Sequence, residues 1–495
     1  MICAGQIPAA VTEPQGAALE TGARSSNWPA FSWDTVPRAL SVHKPTAWTD
    51  DEYARIARYD FLQTNYKNQE MAEQVKEFNP NITILGYKNL VVHYEGTKDL
   101  VFRDHPDWFL HTDGTPELHG KGANKHPLYD LRRSETRDYW VQEVDRILKI
   151  PVFDGIFIDG YAKVNGHPAV ERATGQSPPV DYVAGYRLMM DEHLKRSAGL
   201  GKIRIGNYLR ANYPDAAVPE VLKNLDGSYL EWFDHYVKLA DHLHSYEEYL
   251  ATGIQAVQQV AQAGKVIMLR LKAEDDRDVK VTEDEADPEA PGNIPGLYKN
   301  FEYKLAIFLI CAERYSYFAY QGSPKVTKDV QLWAPDFPEF HKPLGPPKGP
   351  AIRDGFTYTR EFQHARVWLD LTKREGHITW TASYPEATAL TPRNGDNQVA
   401  AGALPCTMTF DRPITKSTGT ISLYRLSDRK LLASVPVESD AVTIPDEKTV
   451  AVKFPITTEP GTEYSIMVSK GALRDRDGMI FLGMPVLGQW KFVTR

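Results

Sequence analysis

Between about residue 36 and residue 321 the chain repeats one alternation eight times, and that repeat limits the fold more than any other feature. Each unit sets a short run of β-branched and aromatic residues ahead of a longer stretch with helical spacing. The runs are RALSVHK (38–44), YDFLQTNY (59–66), ITILGYK (82–88), FDGIFIDGY (153–161), KIRIGNY (202–208), GSYLEWF (227–233), KVIMLRLK (265–272) and YSYFAYQ (315–321). Stretches such as QEMAEQVKEF, SETRDYWVQEVDRIL and NFEYKLAIFLICAER lie between them. In the second of these Ser134 is the expected N-cap, and Trp140, Val144, Ile147 and Leu148 recur at helical spacing. Parallel strands need a crossover long enough to hold a helix, so this alternation predicts a parallel sheet. Eight units favour closure into a (β/α)8 barrel over an open doubly wound sheet. The expected fold is α/β, with the barrel over residues 31–345 and a polar, flexible leader over 1–30.

Beyond the eighth run the pattern changes twice. After the Pro- and Gly-rich LWAPDFPEFHKPLGPPKGPAI, the segments TYTREFQHARVWLDLTK and GHITWTAS alternate with period two. They predict a β-hairpin or small sheet over 346–382 that packs on the barrel. From 383 onward TMTFDRPI, GTISLYRL, LLASVPV, TVAVKFPI, EYSIMVS and QWKFVTR are short strands divided by turns, which predicts an antiparallel β-sandwich over 383–495.

Charge narrows the function classes. Lys and Arg number 57 against 65 Asp and Glu, a formal net charge of -8, so nothing draws the chain generally to nucleic acid or an anionic membrane. No apolar run reaches the roughly 18 residues of a membrane span. The N-terminus MICAGQIPAAVTEPQGAALETGARSS lacks the charged-then-apolar order of a secretion signal and looks like a flexible leader or the remnant of a processed start. Three cysteines, Cys3, Cys311 and Cys406, lie far apart and define no disulfide framework. Phosphate-loop, dinucleotide-binding and nucleophile-elbow motifs are missing from the sequence, and no cofactor is expected. Histidines cluster after the third run (His93, His105, His111, His119, His126) without metal-ligand spacing, and no metal site is expected.

Barrel chemistry sits at the C-terminal ends of the strands. In order those ends offer His43 and Lys44, Asn65 and Tyr66, Tyr87 and Lys88, Asp159 and Tyr161, Asn207 and Tyr208, Glu231 and Trp232, Arg270 and Lys272, and Tyr320 and Gln321. Only the fourth and sixth present a carboxylate. IFID is a buried apolar run that stops at an acid followed by Gly, and an acid there has little packing purpose. Two carboxyls across a glycosidic bond are what its hydrolysis needs. Asp159 is therefore the expected nucleophile or base and Glu231 the expected acid, with the reverse assignment open. The other expected substrate contacts are His43, Lys44, Tyr87, Lys88, Tyr161, Asn207, Arg270, Lys272 and Tyr320, with Trp108 and Trp232 as sugar-stacking rings. So many cations in an acidic chain point to an anionic glycan, or else they pair with Asp159 and the loop acids. Two alternatives stand beside hydrolysis. One is a polysaccharide lyase, using Tyr87, Lys88 and Arg270 against a uronate; the other is a non-catalytic carbohydrate-binding surface protein on a barrel scaffold.

The segments HPDWFLHTDG, LYDLRRSETRDYWVQEVDRIL and FDGIFIDGY, with the ending LGPPKG…TREFQHARVWLDL, resemble the glycoside-hydrolase-like barrels, and most of all hypothetical glycosyl hydrolase family 15. The resemblance spans roughly residues 35–382. It implies a glycosidase acting on a poly- or oligosaccharide, and an acid after the fourth strand, here Asp159. The segments GTISLYRLSDRKLLASVPVESDAVTI, GTEYSIMVSKGALRDRDG and QWKFVTR are similar to bacterial Ig-like domains of the SbsA type. That similarity implies an extracellular or periplasmic location.

Overall fold

The computed structural model describes residues 28–42, 48–120, 125–213, 215–231, 233–234, 239–272, 300–321 and 334–495. Strands β1 (Ala39–Val42), β2 (Phe61–Asn65), β3 (Thr83–Asn89), β4 (Gly155–Asp159), β5 (Ile203–Asn207), β6 (Gly227–Leu230), β7 (Val266–Lys272) and β8 (Ser316–Gln321) form one parallel sheet in sequence order. Each lies on a run read from the sequence, β3 reaching one residue further. The sheet closes on itself. At the lower end of the seam the Phe318 N–H donates to the Pro37 carbonyl at 2.8 Å. At the upper end a side chain supplies the missing rung. The Ser41 N–H donates to Gln321 Oε1, and Gln321 Nε2 donates to the Ser41 carbonyl, both at 2.9 Å.

Period-two alternation sends Phe61, Leu85, Phe157, Ile203, Ile205, Tyr229, Val266, Met268 and Tyr317 inward, and they fill the barrel as a packed core. Trp28 and Phe31 pack on Tyr315 at the start of β8, with ring centroids 5.6 and 5.4 Å apart. Ordered structure thus begins inside the stretch expected as leader; residues 1–27 lie outside the described ones.

The outer layer carries α1 (Asp50–Ile56), α2 (Gln69–Phe78), α3 (Ser134–Leu148), α4 (Val180–Ser197), α5 (Val218–Asn224), α6 (Tyr246–Gln262) and α7 (Phe301–Cys311). In α3 the stripe Trp140, Val144, Ile147 and Leu148 is buried, as its spacing requires. Ser134 is not the N-cap; it is the first helical residue, and Arg133 occupies the cap position. Trp140 Nε1 donates to the Asn89 carbonyl at 2.8 Å and fixes the upper end of β3 against the helix.

Helix α7 is buried at every position but Glu302, and apart from Lys304, which pairs with Asp234, its buried residues are apolar or aromatic. A helix of that kind needs cover on both faces. The barrel covers one. The other meets an antiparallel sheet of β9 (Ile352–Asp354), β10 (Thr357–Glu361), β11 (Ala365–Asp370) and β12 (Glu375–Trp380). Gly376 permits the contact, because a Cβ there would lie 2.7 Å from Ala306 Cβ. Arg360, on β10, reaches the C-terminal end of α7. Its Nη1 donates to the carbonyls of Leu309, Ile310 and Ala312 at 3.1, 3.2 and 2.5 Å, and Nη2 pairs with Glu313 at 2.7 Å. The small sheet is therefore part of the barrel's packing and supplies the cap that α7 lacks.

Residues Ala387–Thr494 hold a four-stranded and a five-stranded sheet around their own apolar core, with Trp490 at its centre. This sandwich is docked on the barrel. Leu426, Val486 and Leu487 belong to the barrel's apolar cluster, and Lys491 pairs with Asp51 and Lys470 with Asp34, each at 2.7 Å.

One buried group carries a pH prediction. His193, on α4, is fully buried, and neither ring nitrogen has a hydrogen-bond partner among the described residues. Burial, and after it the charge of Arg204, push the imidazole down to about 3. The unfolded chain takes up this proton below about pH 6.5 while the folded chain refuses it until far lower. Stability is therefore lost as pH falls from 6.5 toward 3. In urea unfolding, His193→Leu should gain on wild type by roughly 2 kcal/mol between pH 7 and pH 5. An unchanged difference would mean that the imidazole titrates normally.

Candidate active site

Strand alternation decides which strand-end residues face the barrel mouth. Tyr87 and Asn89 on β3, Asp159 ending β4, Asn207 ending β5, Glu231 just after β6 and Arg270 on β7 share the inward phase. Asn89 and Asp159 are register partners across the β3–β4 pair.

Asp159 is held by three donors. Its Oδ2 accepts from the Tyr87 hydroxyl at 2.7 Å and from Asn89 Nδ2 at 3.1 Å, and its Oδ1 accepts from Asn207 Nδ2 at 3.0 Å. Burial, and then the neighbouring Asp159, push the Tyr87 phenol well above its ordinary value, so it remains a donor. Asn89 is itself anchored, since its Oδ1 accepts the N–H groups of Val91 and Val92. Gly160 makes room for this arrangement. It has φ 95°, and a Cβ there would lie 2.7 Å from Asn89 Oδ1.

Asn207 joins the two acids. Arg210 Nη2 donates to Asn207 Oδ1 at 2.5 Å, which fixes the amide so that Nδ2 points at the carboxylates. Nδ2 reaches Asp159 Oδ1 at 3.0 Å and Glu231 Oε2 at 3.4 Å. These two oxygens are thus no farther apart than 3.0 and 3.4 Å laid end to end. Glu231 is the more open of the pair, with 38 % of its side chain exposed, and Arg270 Nη1 lies 3.8 Å from its Oε1. Arg270 also donates to the Tyr229 hydroxyl at 3.2 Å.

Several expected substrate contacts are elsewhere. Lys88 points outward, as the neighbour of an inward Tyr87 must. It is buried, 3.4 Å from the Tyr129 hydroxyl, with its ammonium over the Tyr129 and Tyr139 rings. Tyr320 also points outward and is buried among Phe301, Phe318 and Phe337. Trp108 stacks on His105 at 3.9 Å and packs on Tyr139 of α3, outside the barrel. Tyr161 is buried and stacks on Tyr208 at 4.3 Å, filling space behind the mouth. Arg270 is at the site, but its side chain is only 1 % exposed, so it supports Glu231 from beneath and does not reach into the cleft. His43, Lys44 and Trp232 lie outside the described residues, as does the side chain of Lys272. Asn89 and Arg210 were not anticipated. Period-two phase from Tyr87 would have found Asn89, whereas Arg210 lies in a loop with no local signal.

A separate groove of about 660 Å³ lies on the outer face of β9–β12, lined by Lys348, Ile352, Thr359, Arg366, Trp368 and His377 among others. Glu361 is the one acid among its lining residues, and Lys348 and Arg366 pair with it, so it offers no carboxylate pair.

A closed parallel barrel with paired acids at the C-terminal mouth has the architecture of a glycoside hydrolase. Residues 76–366, more than half of the chain, match the model of hypothetical glycosyl hydrolase family 15, and the chain belongs to that family. No curated protein matches. Among solved structures the chain is similar to the glycoside hydrolase domain of PelA from Pseudomonas aeruginosa, at 10 % identity over 49 % of this chain and 85 % of that one, TM-score 0.34. It is similar to Aspergillus fumigatus Ega3 in complex with galactosamine, at 10 % identity over 53 % and 87 %, TM-score 0.34. A third is the alpha-galactosidase TtGalA from Thermus thermophilus, at 12 % identity over 70 % and 68 %, TM-score 0.38.

Proposed function

We propose that this glycoside hydrolase cleaves a poly- or oligosaccharide with retention of anomeric configuration, Asp159 acting as nucleophile and Glu231 as acid and then base. One observation carries the reading: a single amide nitrogen, Asn207 Nδ2, donates to an oxygen of each carboxylate. The span that this allows between the two oxygens falls short of the roughly 6.5–9.5 Å that leaves room for an attacking water. The division of roles follows from restraint. Asp159, held by three donors, has the fixed oxygen that attack on an anomeric carbon requires. Glu231 is more exposed and can exchange a proton with solvent between steps. In the first step Asp159 bonds to the anomeric carbon as Glu231 protonates the departing oxygen. In the second, Glu231 takes a proton from water, and the hydroxide attacks the anomeric carbon and frees Asp159.

The lyase alternative loses its cations, since Lys88 is buried outside the mouth and Arg270 is buried beneath it, against Tyr229 and Glu231. The same two residues drop out of the case for an anionic glycan, which then rests on His43, Lys44 and Lys272. Secretion is proposed on the similarity of the C-terminal sandwich to exported Ig-like modules.

The test is a panel of neutral and uronate-containing polysaccharides incubated with wild type, Asp159→Asn and Glu231→Gln, reading reducing ends and ultraviolet absorbance together. New reducing ends without absorbance, lost in both variants, are expected. Absorbance that survives both substitutions would mean a lyase.

A further inference from the structure

The segment His93–Tyr94–Glu95, in the loop after β3, buries His93, leaves 18 % of the Glu95 side chain exposed and turns Tyr94 outward. His93 is fully buried, with Nδ1 2.7 Å from the Tyr129 hydroxyl and Nε2 3.1 Å from Asp99 Oδ2. Glu95 accepts from the Tyr66 hydroxyl at 2.7 Å. Burial opposes its charge, yet Lys88, and then Tyr66, hold its carboxyl down at about 2. Lys88 is itself buried, and that burial lowers its own pKa. Burying a lysine and a histidine beside a partly buried glutamate is costly unless they have partners; here His93 Nδ1 lies 3.2 Å from Glu95 Oε2, and Tyr66 and Tyr129 bond to the three side chains.

The network fixes the backbone on both sides of Tyr94, which is 41 % exposed. The Tyr94 ring centroid lies 6.2 Å from that of Tyr87, the residue whose hydroxyl donates to Asp159. His126 packs edge-on against Tyr94 at 5.0 Å. A surface aromatic with a rigid backbone, its ring against that of the acid's own donor, is placed to meet a substrate.

We propose that Tyr94 is a stacking platform, holding the apolar face of a pyranose ring beside Asp159, with His126 keeping the ring upright. The proposal rests on the glycosidase reading and adds which wall of the cleft binds sugar. A ring platform gains affinity through its face and not its hydroxyl. The experiment uses the inactive Asp159→Asn protein, so that binding is read without turnover. Its retardation is measured in native gels cast with each polysaccharide of the panel, alongside the same protein carrying Tyr94→Ala or Tyr94→Phe. The gel polysaccharide that retards Asp159→Asn should bind the Tyr94→Ala form roughly tenfold more weakly or worse. Tyr94→Phe should restore binding, and all three proteins should give the same far-ultraviolet circular dichroism spectrum, which marks a common fold.

Equal retardation of the alanine form, or equal loss in the alanine and phenylalanine forms, would overturn the platform and leave the glycosidase reading standing. If no polysaccharide of the panel retards Asp159→Asn, the platform and the choice of a polysaccharide as substrate fall together.

Discussion

Glu231→Gln should slow cleavage of a natural glycan by on the order of 10²–10⁴-fold, the usual contribution of a positioned general acid–base group. On an aryl glycoside with an acidic phenol the outcome should differ. Such a leaving group departs without protonation, so the variant should release a fast burst of one phenol per enzyme and then stall, because no base remains to activate water. Azide, which needs no base, should restore turnover. Asp159→Asn should lose both the burst and the turnover, since the bond to the anomeric carbon cannot form. The contrast between the variants follows from the site's asymmetry, in which three donors restrain Asp159 while Glu231 stands half-open to solvent. A burst from Asp159→Asn and none from Glu231→Gln would exchange the two roles.

The second large effect concerns stability and lies far from the chemistry. Arg360→Leu should cost roughly 3–5 kcal/mol, the range seen when one partner of a buried charged pair is removed. The Arg360 side chain is 1 % exposed and satisfies three carbonyls at the end of α7 as well as Glu313. Leucine fills much of the space but leaves those acceptors unpaired. Because α7 lies between the barrel and β9–β12, the loss should lower the midpoint of the whole barrel in urea unfolding. It should not release a separately melting sheet. A loss under 1 kcal/mol, or an added early transition from β9–β12, would show that the sheet is an appendage.

How far these features could be read in advance depends on the range of the interactions behind them. The eight strands were visible because parallel barrel strands are buried on both faces and appear as apolar runs. Asp159 and Glu231 stood out because an acid ending such a run is poorly explained by packing. The errors at Lys88 and Tyr320 came from treating adjacent strand-end residues alike, although neighbours along a strand face opposite sides. Tyr87 faces inward, so Lys88 cannot, and the same phase brings in Asn89. Trp108 and Tyr161 were misassigned for a different reason. Where each ring settles depends on long-range packing against α3 and Tyr208, for which neither composition nor periodicity gives a signal. Arg360 was silent in the same way, its partners lying some 50 residues back along the chain.

In the proposed mechanism Asp159 attacks the sugar at short range from Glu231. This is tested most directly by proton NMR of the first product wild type releases from whichever panel glycan it cleaves, recorded before the new reducing end mutarotates. The new anomeric centre should have the configuration of the bond that was cut. The opposite anomer as first product would mean that water attacks directly, and would contradict both the nucleophile assignment and the short carboxylate separation on which it rests.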